Sequence, residues 1–276
     1  MSVDHYENFP VASVLCPPAL RPAITAIYHF ARTADDIADE GMASTEARLA
    51  DLADYRRDLM LVATGQASSA RWARVFTPLA AQIARHRLPV PLLADLLDAF
   101  AQDARNPIYP DRATLLDYCR RSADPIGRLL LHLYGITDAQ ALRRSDAICS
   151  ALQLINFWQD LSVDGPRGRH YVPEADRTRH GLPLSDLATR RDSPAARALV
   201  RELCGWAREL MLQGAPLVHQ VPGRAGWELR LVVQGGLRIL EKITAMDHAT
   251  LLRRPTVGAA DAPLLLWRTL AMRAAR

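Results

Sequence analysis

A pair of carboxylates on one predicted helix could hold a divalent cation. Asp35 and Asp39 lie four residues apart in the segment RTADDIADE, and Arg32 precedes them by one turn. Like charges at this spacing repel each other by about a few tenths of a kcal/mol unless something neutralises them. Because similar pairs are common on solvated helix surfaces, this pattern indicates a cation site only in combination with a second cluster.

A second cluster follows about 120 residues later. Asn156, Asp160 and Asp164 recur every four residues in a segment otherwise rich in leucine, isoleucine, phenylalanine and tryptophan. Polar groups on so apolar a helix need partners, because burying them unpaired costs free energy. Mg²⁺ suits such oxygen ligands, since it takes one or two carboxylates and shares its other positions with water and phosphate oxygens. The two clusters together predict a Mg²⁺ and diphosphate site.

Arginines near both clusters could bind the same anion. Arg32 precedes the first cluster, and Arg167 and Arg169 follow the second. A guanidinium can donate two parallel hydrogen bonds to a phosphate. A glycosidase needs only a carboxylate pair, so the additional Asn and acids disfavour that chemistry. The sequence contains neither a glycine-rich nucleotide loop nor an HExxH-type metal motif.

The elements that must position these residues are predicted to be helices. Apolar residues recur at helical period, and no convincing period-two strand is found. The predicted helices cover about 22–40, 45–64, 70–87, 91–104, 112–121, 124–134, 138–164, 184–190, 194–219, 225–251 and 262–274. We predict one all-α domain over residues 1–276, with a two-domain split as the alternative. On the helix over 91–104, we expect Asp95, Asp98 and Asp103 to form an exposed face.

Composition is that of an ordinary globular protein. Hydrophobic residues make up 49% and charged residues 23%, which argues against disorder. The 34 basic and 30 acidic residues give a net charge of +4. Because the arginines are scattered among acids, we expect no nucleic-acid partner.

The lack of a recognisable targeting signal and the spacing of the cysteines favour a cytoplasmic location. No signal peptide and no apolar run of about 20 residues is present. The four cysteines lack metal or disulfide spacing, so reduced thiols are expected. The C-terminal Arg268, Arg273 and Arg276 form a solvated face in our preferred interpretation. Peripheral contact with anionic lipid is the alternative.

Three segments resemble the squalene and phytoene synthase family, from about His5 to Lys242. YHFARTADDIAD from Tyr28 resembles its first aspartate-rich motif, and QLINFWQDLSVD from Gln153, followed by RGRHYVP, resembles its second motif and flap. YC at Tyr118, with the following alanine and glycine, is similar to a further segment of the family. The resemblance implies an isoprenoid-synthase-type helical bundle, in which two aspartate-rich helices face each other around a central apolar cavity.

The resemblance also implies Mg²⁺, a prenyl diphosphate substrate and specific residue roles. The implied metal-binding and catalytic residues are Asp35, Asp39, Asn156, Asp160 and Asp164. The implied substrate contacts are Phe9, Tyr28, Arg32, Tyr118 and Gln153, and we expect further contacts from Gln159, Arg167, Arg169 and Tyr171.

Two positions depart from the family pattern. Gln159 stands where the family usually has arginine, and Gly236 where it usually has tyrosine. Both changes remove a diphosphate contact, which puts in doubt the usual condensation of two prenyl diphosphates. With the N-terminal segment DHYENFPVAS and the block NFWQD, these departures are similar to the bacterial hydroxysqualene synthase subgroup of hopanoid pathways.

The subgroup implies presqualene diphosphate as the substrate and water as the group that quenches the cation. Other enzymes of the squalene and hopanoid pathway would then be partners. The alternatives are a presqualene diphosphate, squalene or phytoene synthase, and a non-catalytic helical assembly protein of the same fold.

Overall fold

The computed structural model describes residues 16–272, and within that range it contains helices and no strand. The α-helices are α1 (Arg21–Asp39), α2 (Thr45–Ala63), α3 (Ala73–His86), α4 (Val90–Arg105), α5 (Arg112–Ser122), α6 (Asp124–Leu133), α7 (Ala139–Gln159), α8 (Leu161–Asp164), α9 (Glu174–Arg179), α10 (Leu184–Ala188), α11 (Pro194–Gly214), α12 (Gly223–Ala245) and α13 (Ala262–Ala271). Two short 3-10 helices cover Ala215–His219 and Ala259–Asp261. The prediction of an all-α fold is confirmed. Phe9, Arg273 and Arg276 lie outside the described residues.

The helix predicted over 138–164 is interrupted at its functional end. Asp160 leaves helical geometry, with φ −100° and ψ 10°, and separates α7 from α8. Its carbonyl accepts hydrogen bonds from the amides of Val163, at 2.8 Å, and Asp164, at 2.9 Å. The chain therefore tightens into a turn at Asp160, and Asp164 does not continue the face of α7 without a break.

Two further stretches differ from the predicted pattern. The helix predicted over 225–251 ends at Ala245, because Asp247 and His248 adopt left-handed φ angles of 53° and 60°. The stretch over 167–180, where no helix is predicted, contains the short helix α9. Both differences are local, and neither changes the order of the long helices.

Aromatic packing anchors the buried face of α1 against α2 and α3. The rings of Phe30 and Tyr55 lie 5.3 Å apart, and those of Tyr55 and Phe76 lie 4.7 Å apart. The buried Tyr55 hydroxyl donates a hydrogen bond to the carbonyl oxygen of Phe30 at 3.1 Å, so this polar atom is satisfied. The opposite face of α1, which carries Asp35, is thereby directed away from this core.

The second core surrounds α7. Glycines on the neighbouring helices allow those helices to approach α7 closely. Gly127 of α6, Gly214 of α11 and Gly236 of α12 all face α7 or its packing partners. A Cβ atom on Gly214 would lie 2.6 Å from the carbonyl oxygen of Arg144, and one on Gly127 would lie 2.6 Å from Cys149 Sγ. Real Cβ atoms do not approach other atoms so closely. Gly214 therefore requires glycine if α11 and α7 keep their present spacing, because its neighbour is main chain, whereas a side chain at Gly127 would have to displace the Cys149 side chain.

Across residues 16–272, none of the helices combines the length and apolar character needed to cross a bilayer. All four cysteines fall in this range, where they are buried and form no disulfide.

Candidate active site

Predicted site residues from α1 and α7 line one cavity. Tyr28, Arg32 and Asp35 contribute from α1, and Gln153 contributes from α7. The cavity encloses about 260 Å³, and its other walls are largely aliphatic side chains of α1 and α6 together with Phe100 of α4. A cavity that is charged at one end and apolar elsewhere suits a molecule with a charged head and a hydrocarbon tail.

A second apolar cavity extends this space towards α12. It encloses about 130 Å³ and shares Ile24, Ile126, Leu130 and Cys149 with the first cavity. Its far wall is formed by residues of α12 and of the 3-10 helix Ala215–His219. Because the two cavities share these walls, the apolar lining continues from the charged end of α1 to α12.

A polar cavity of about 160 Å³ joins the first acidic cluster to the chain that follows the second. It is lined by Asp35 and Asp39 of α1, by Arg167 and Arg169, and by Tyr171. Arg169 forms an ion pair with Asp39. Asp35 lines both this cavity and the larger apolar one, so the acidic end of α1 is where the polar and apolar spaces meet.

Arg32 is held over this junction by acidic residues of its own helix. Its guanidinium lies 3.3 Å from Asp35, 2.7 Å from Asp36 and 2.8 Å from Glu40. These carboxylates are between two-fifths and two-thirds exposed, so the ion pairs contribute little to stability. They orient a planar donor at the mouth of the cavity, where a phosphate group could accept from it.

Asp103 is a site residue that the sequence analysis missed. Its carboxylate accepts hydrogen bonds from the hydroxyls of Tyr118, at 2.7 Å, and Tyr171, at 3.2 Å, and it lines the polar cavity. Burial raises the pKa of Asp103 to about 7, although both tyrosines oppose the increase. The expectation of an exposed Asp103 is wrong. It follows Leu96 by seven residues and Phe100 by three, which is the spacing of the apolar face.

Stacking fixes this cluster to the second acidic helix. The rings of Tyr171 and Phe157 lie 3.8 Å apart with an angle of 7° between their planes. Burial, followed by the charge of Asp103, raises the pKa of Tyr171 well above its usual range, so this hydroxyl remains protonated. The predicted substrate residues Tyr118 and Tyr171 are thus brought together, with their hydroxyls directed to Asp103.

The second acidic cluster meets an arginine that the sequence did not indicate. Arg254 forms an ion pair with Asp160, and its Nη2 atom lies 3.1 Å from Asp160 Oδ2. Burial, and then the charge of Asp160, raises the pKa of Asp164 to about 7. Asp160 and Asp164 therefore concentrate negative charge in a partly buried corner. Arg254 and Arg167 oppose that charge.

The donor set of the two clusters fits Mg²⁺. It consists of carboxylates together with the amide of Asn156, which is half-buried one turn before Asp160. The raised pKa of Asp164 reflects the burial and like charge that a cation would relieve. Among residues 16–272, no three His, Cys, Asp or Glu side chains converge to hold a metal. In this arrangement, arginines are paired with Asp35, Asp39 and Asp160.

Gln159 does not reach the cavities. Its side chain is fully buried, and Nε2 donates a hydrogen bond to the carbonyl oxygen of Pro255 at 2.7 Å. The direct substrate contact expected of Gln159 is therefore not supported. The amide instead holds the segment that carries Arg254 against Asp160.

Gly236 occupies a close contact between α12 and the helices beside it. A Cβ atom at this position would lie 2.9 Å from Met211 Cε and 3.1 Å from Leu152 Cδ2. A side chain at this position would have to displace the ends of the Met211 and Leu152 side chains. The departure at Gly236 is thus built into the helix packing.

Comparison with known proteins assigns the fold and the family. The chain is 32% identical over 243 residues to a hydroxysqualene synthase of Rhodopseudomonas palustris, covering 87% of this chain and 80% of the relative. It is 29% identical over 249 residues to a presqualene diphosphate synthase of Zymomonas mobilis, covering 90% and 79%. The crystal structure of squalene synthase HpnC from Alicyclobacillus acidocaldarius superimposes with a TM-score of 0.80 at 37% identity, covering 88% of this chain and 90% of that one.

The isoprenoid-synthase type of helical fold is therefore confirmed. The squalene/phytoene synthase family matches residues 3–261, which include both acidic clusters and the segment of Arg254. The chain belongs to the squalene/phytoene synthase family, whose members process prenyl diphosphates.

Proposed function

We propose that this chain is a hydroxysqualene synthase. With Mg²⁺ it would ionise presqualene diphosphate and add water to the carbocation, releasing hydroxysqualene and diphosphate. This makes it a carbon–oxygen lyase that acts in the cytoplasm. The proposal is supported by a charged rim over an apolar cavity and by relatives that carry this name.

The observation that carries the proposal is the structural role of Gln159 and Gly236. At these positions the family usually has an arginine and a tyrosine that contact diphosphate. Here Gln159 is buried in a hydrogen bond to the backbone, and Gly236 is part of a close helix contact. A site that lacks both contacts is better suited to one diphosphate than to the condensation of two prenyl diphosphates.

The arginines of the rim would bind and orient the leaving group. Arg32, Arg167 and Arg169 line the polar and apolar cavities around the acidic end of α1. Bound Mg²⁺, held by the two acidic clusters, would supply Lewis-acid stabilisation of the departing diphosphate. The arginines add hydrogen bonds in fixed directions, which position the scissile bond.

The apolar walls and the Asp103 cluster would control what reaches the cation. Aliphatic residues of α1 and α6 exclude bulk water, which would otherwise trap the cation before it rearranges. Asp103, bonded to two tyrosine hydroxyls beside the polar cavity, has a pKa near 7 and can accept a proton on its carboxylate at neutral pH.

Product analysis with purified presqualene diphosphate tests the proposal. The full chain is incubated with the substrate and Mg²⁺ in ¹⁸O-labelled water, without NADPH, and the Asp35→Asn variant serves as the inactive control. We expect hydroxysqualene that carries one ¹⁸O atom. Unlabelled alcohol, or squalene formed only after NADPH is added, would contradict the proposal.

A second candidate is the synthesis of presqualene diphosphate or phytoene, because relatives with such names have similar identity. Incubation with Mg²⁺ and either farnesyl or geranylgeranyl diphosphate alone separates the two candidates. Accumulation of presqualene diphosphate or phytoene would favour the second. We expect neither product.

A further inference from the structure

Helix α13 presents three large apolar residues to solvent, whereas Leu264 and Leu265 are half-buried. Leu266, Trp267 and Leu270 are 56%, 65% and 69% exposed. Thr269, in contrast, is buried, and Arg268 extends towards α12, where its Nη1 lies 2.6 Å from Glu241 Oε1. A surface helix usually buries its apolar residues, so three large apolar side chains with this much exposure are unusual.

The exposed positions of α13 contain no polar side chain. They are Ala262, Pro263, Leu266, Trp267, Leu270 and Ala271. At about 100° per residue, Leu266, Trp267 and Leu270 fall within roughly 100° of arc, so they form one surface. We call these three residues the α13 apolar face. A contiguous apolar surface of this kind on a globular protein indicates an interaction site.

We propose that the α13 apolar face docks on the surface of an anionic lipid bilayer. Tryptophan and leucine on one side of a helix are typical of helices that lie in the membrane interface. In the sequence, Arg273 and Arg276 follow α13 and no acidic residue occurs over 262–276, which complements negatively charged headgroups. At ten residues, α13 is too short to cross the bilayer, so the contact is peripheral.

The segment before α13 connects this face to the acidic rim. Arg254 pairs with Asp160, and eight residues later the chain enters α13 at Ala262. Eight extended residues reach at most about 28 Å, so the Cα atoms of Arg254 and Ala262 lie within that distance of each other. Asp261, at the start of α13, is fixed by Arg238, whose Nε lies 2.8 Å from its carboxylate. Docking would therefore hold the site close to the bilayer.

A short distance between the α13 apolar face and the acidic rim would help the enzyme to exchange substrate and product with the bilayer. This argument rests on the proposed function. A triterpene diphosphate and a triterpene alcohol both partition into lipid, because each buried methylene group contributes about 0.8 kcal/mol. An enzyme docked beside its reservoir would not release either molecule into water. The docking surface itself is argued from α13 alone, so its test does not depend on the reaction.

Vesicle co-sedimentation of the full chain tests the proposal. The probes are phosphatidylcholine vesicles with and without roughly 30 mol% phosphatidylglycerol, a proportion chosen to give an anionic bilayer. We expect binding to the anionic vesicles, and a roughly tenfold weaker apparent affinity for the triple variant Leu266→Ser, Trp267→Ser, Leu270→Ser. The matched control is Met60→Ser with Leu212→Ser, which removes apolar side chains that are 51% and 48% exposed elsewhere. The control should bind as the unmodified chain does.

Further measurements separate the lipid contact from unfolding and from self-association. Circular dichroism melting checks the fold of the triple variant, and Trp267→Ser alone replaces it if the triple variant unfolds. Failure of the unmodified chain to bind anionic vesicles would overturn the proposal, as would equal binding by a folded variant. Light scattering that shows a dimer converted to a monomer by the same variant, without vesicle binding, would assign the face to a second copy of the chain. Turnover of detergent-dispersed substrate, measured in parallel, reports on the proposed function independently.

Discussion

The buried carboxyl group of Asp124 should make the protein less stable as the pH rises. Asp124 begins α6, is 6% exposed, and accepts a hydrogen bond from Ser150 Oγ at 2.8 Å. Burial, and then the charge of Asp146, raises its pKa to about 7, while Ser150 and Arg128 oppose the increase. In the unfolded chain the same group has a pKa of about 3.9. The folded state therefore retains a proton that the unfolded state loses.

The sign and size of the effect follow from this difference in pKa. Below about pH 4 both states are protonated, and Asp124 contributes nothing to the pH dependence. Between about pH 4 and pH 7 the folded state binds more protons, so the free energy of unfolding falls as the pH rises. About three pKa units correspond to about 4 kcal/mol, which is an upper bound. Above about pH 7 the loss is complete and constant.

Replacing Asp124 with Asn should remove this loss. An Asn oxygen can still accept from Ser150, but its amide group also needs a partner, so we expect a gain of about 2–4 kcal/mol at pH 8. Urea unfolding of both proteins at pH 8 and near pH 4.5 measures the difference between them. The gain should shrink at the lower pH, and Asp98→Asn, at an exposed position of α4, is the matched control. A difference that is the same at both pH values would refute the reasoning.

Four further substitutions test the site and the helix packing beside it. Asp35→Asn and Asp160→Asn should each abolish turnover while circular dichroism shows intact helices, because each removes a predicted metal ligand; wild-type turnover would exclude that residue. Arg32→Lys should raise KM for the diphosphate about tenfold, or about 1.4 kcal/mol, since an ammonium cannot donate two parallel hydrogen bonds; an unchanged KM would make Arg32 structural. Gly236→Tyr should lower the free energy of unfolding by about 2 kcal/mol or more in urea titrations, because the core has no room for the ring; an equally stable variant would contradict this.

Patterns within one helix predicted most of the fold and the first acidic cluster. The period of α1 places Asp35 and Asp39 by local geometry, and the structure puts both on the polar cavity. The helical period of α4 also places Asp103 on the same side of the helix as Leu96, which is where the structure has it. We nevertheless expected an exposed Asp103, because acidic residues usually face solvent. Asp103 is half-buried, and two tyrosine hydroxyls donate hydrogen bonds that compensate for the lost water.

Contacts between distant parts of the chain could not be predicted from spacing. Arg254 reaches Asp160 across 94 positions, and nothing in its neighbourhood distinguishes it from the other arginines. The structural reason for Gly236 is similarly hidden, because its partners Met211 and Leu152 lie on two other helices. The exposure of Leu266, Trp267 and Leu270 on α13 is also set by tertiary contacts, since Arg268 is directed inward by Glu241 of α12.

The glycine contact between α11 and α7 gives the two helices that line the cavity of about 260 Å³, α1 and α7, different mechanical character. Gly214 brings α11 against backbone atoms of α7, so displacement of α7 meets main-chain atoms directly. On the other side, Asp39 is held by the partly exposed Arg169, an ion pair that salt weakens. A charged ligand that competes with Asp39 for Arg169 would therefore meet less resistance at this end of α1 than at α7, and a higher ionic strength would weaken the Arg169–Asp39 pair further.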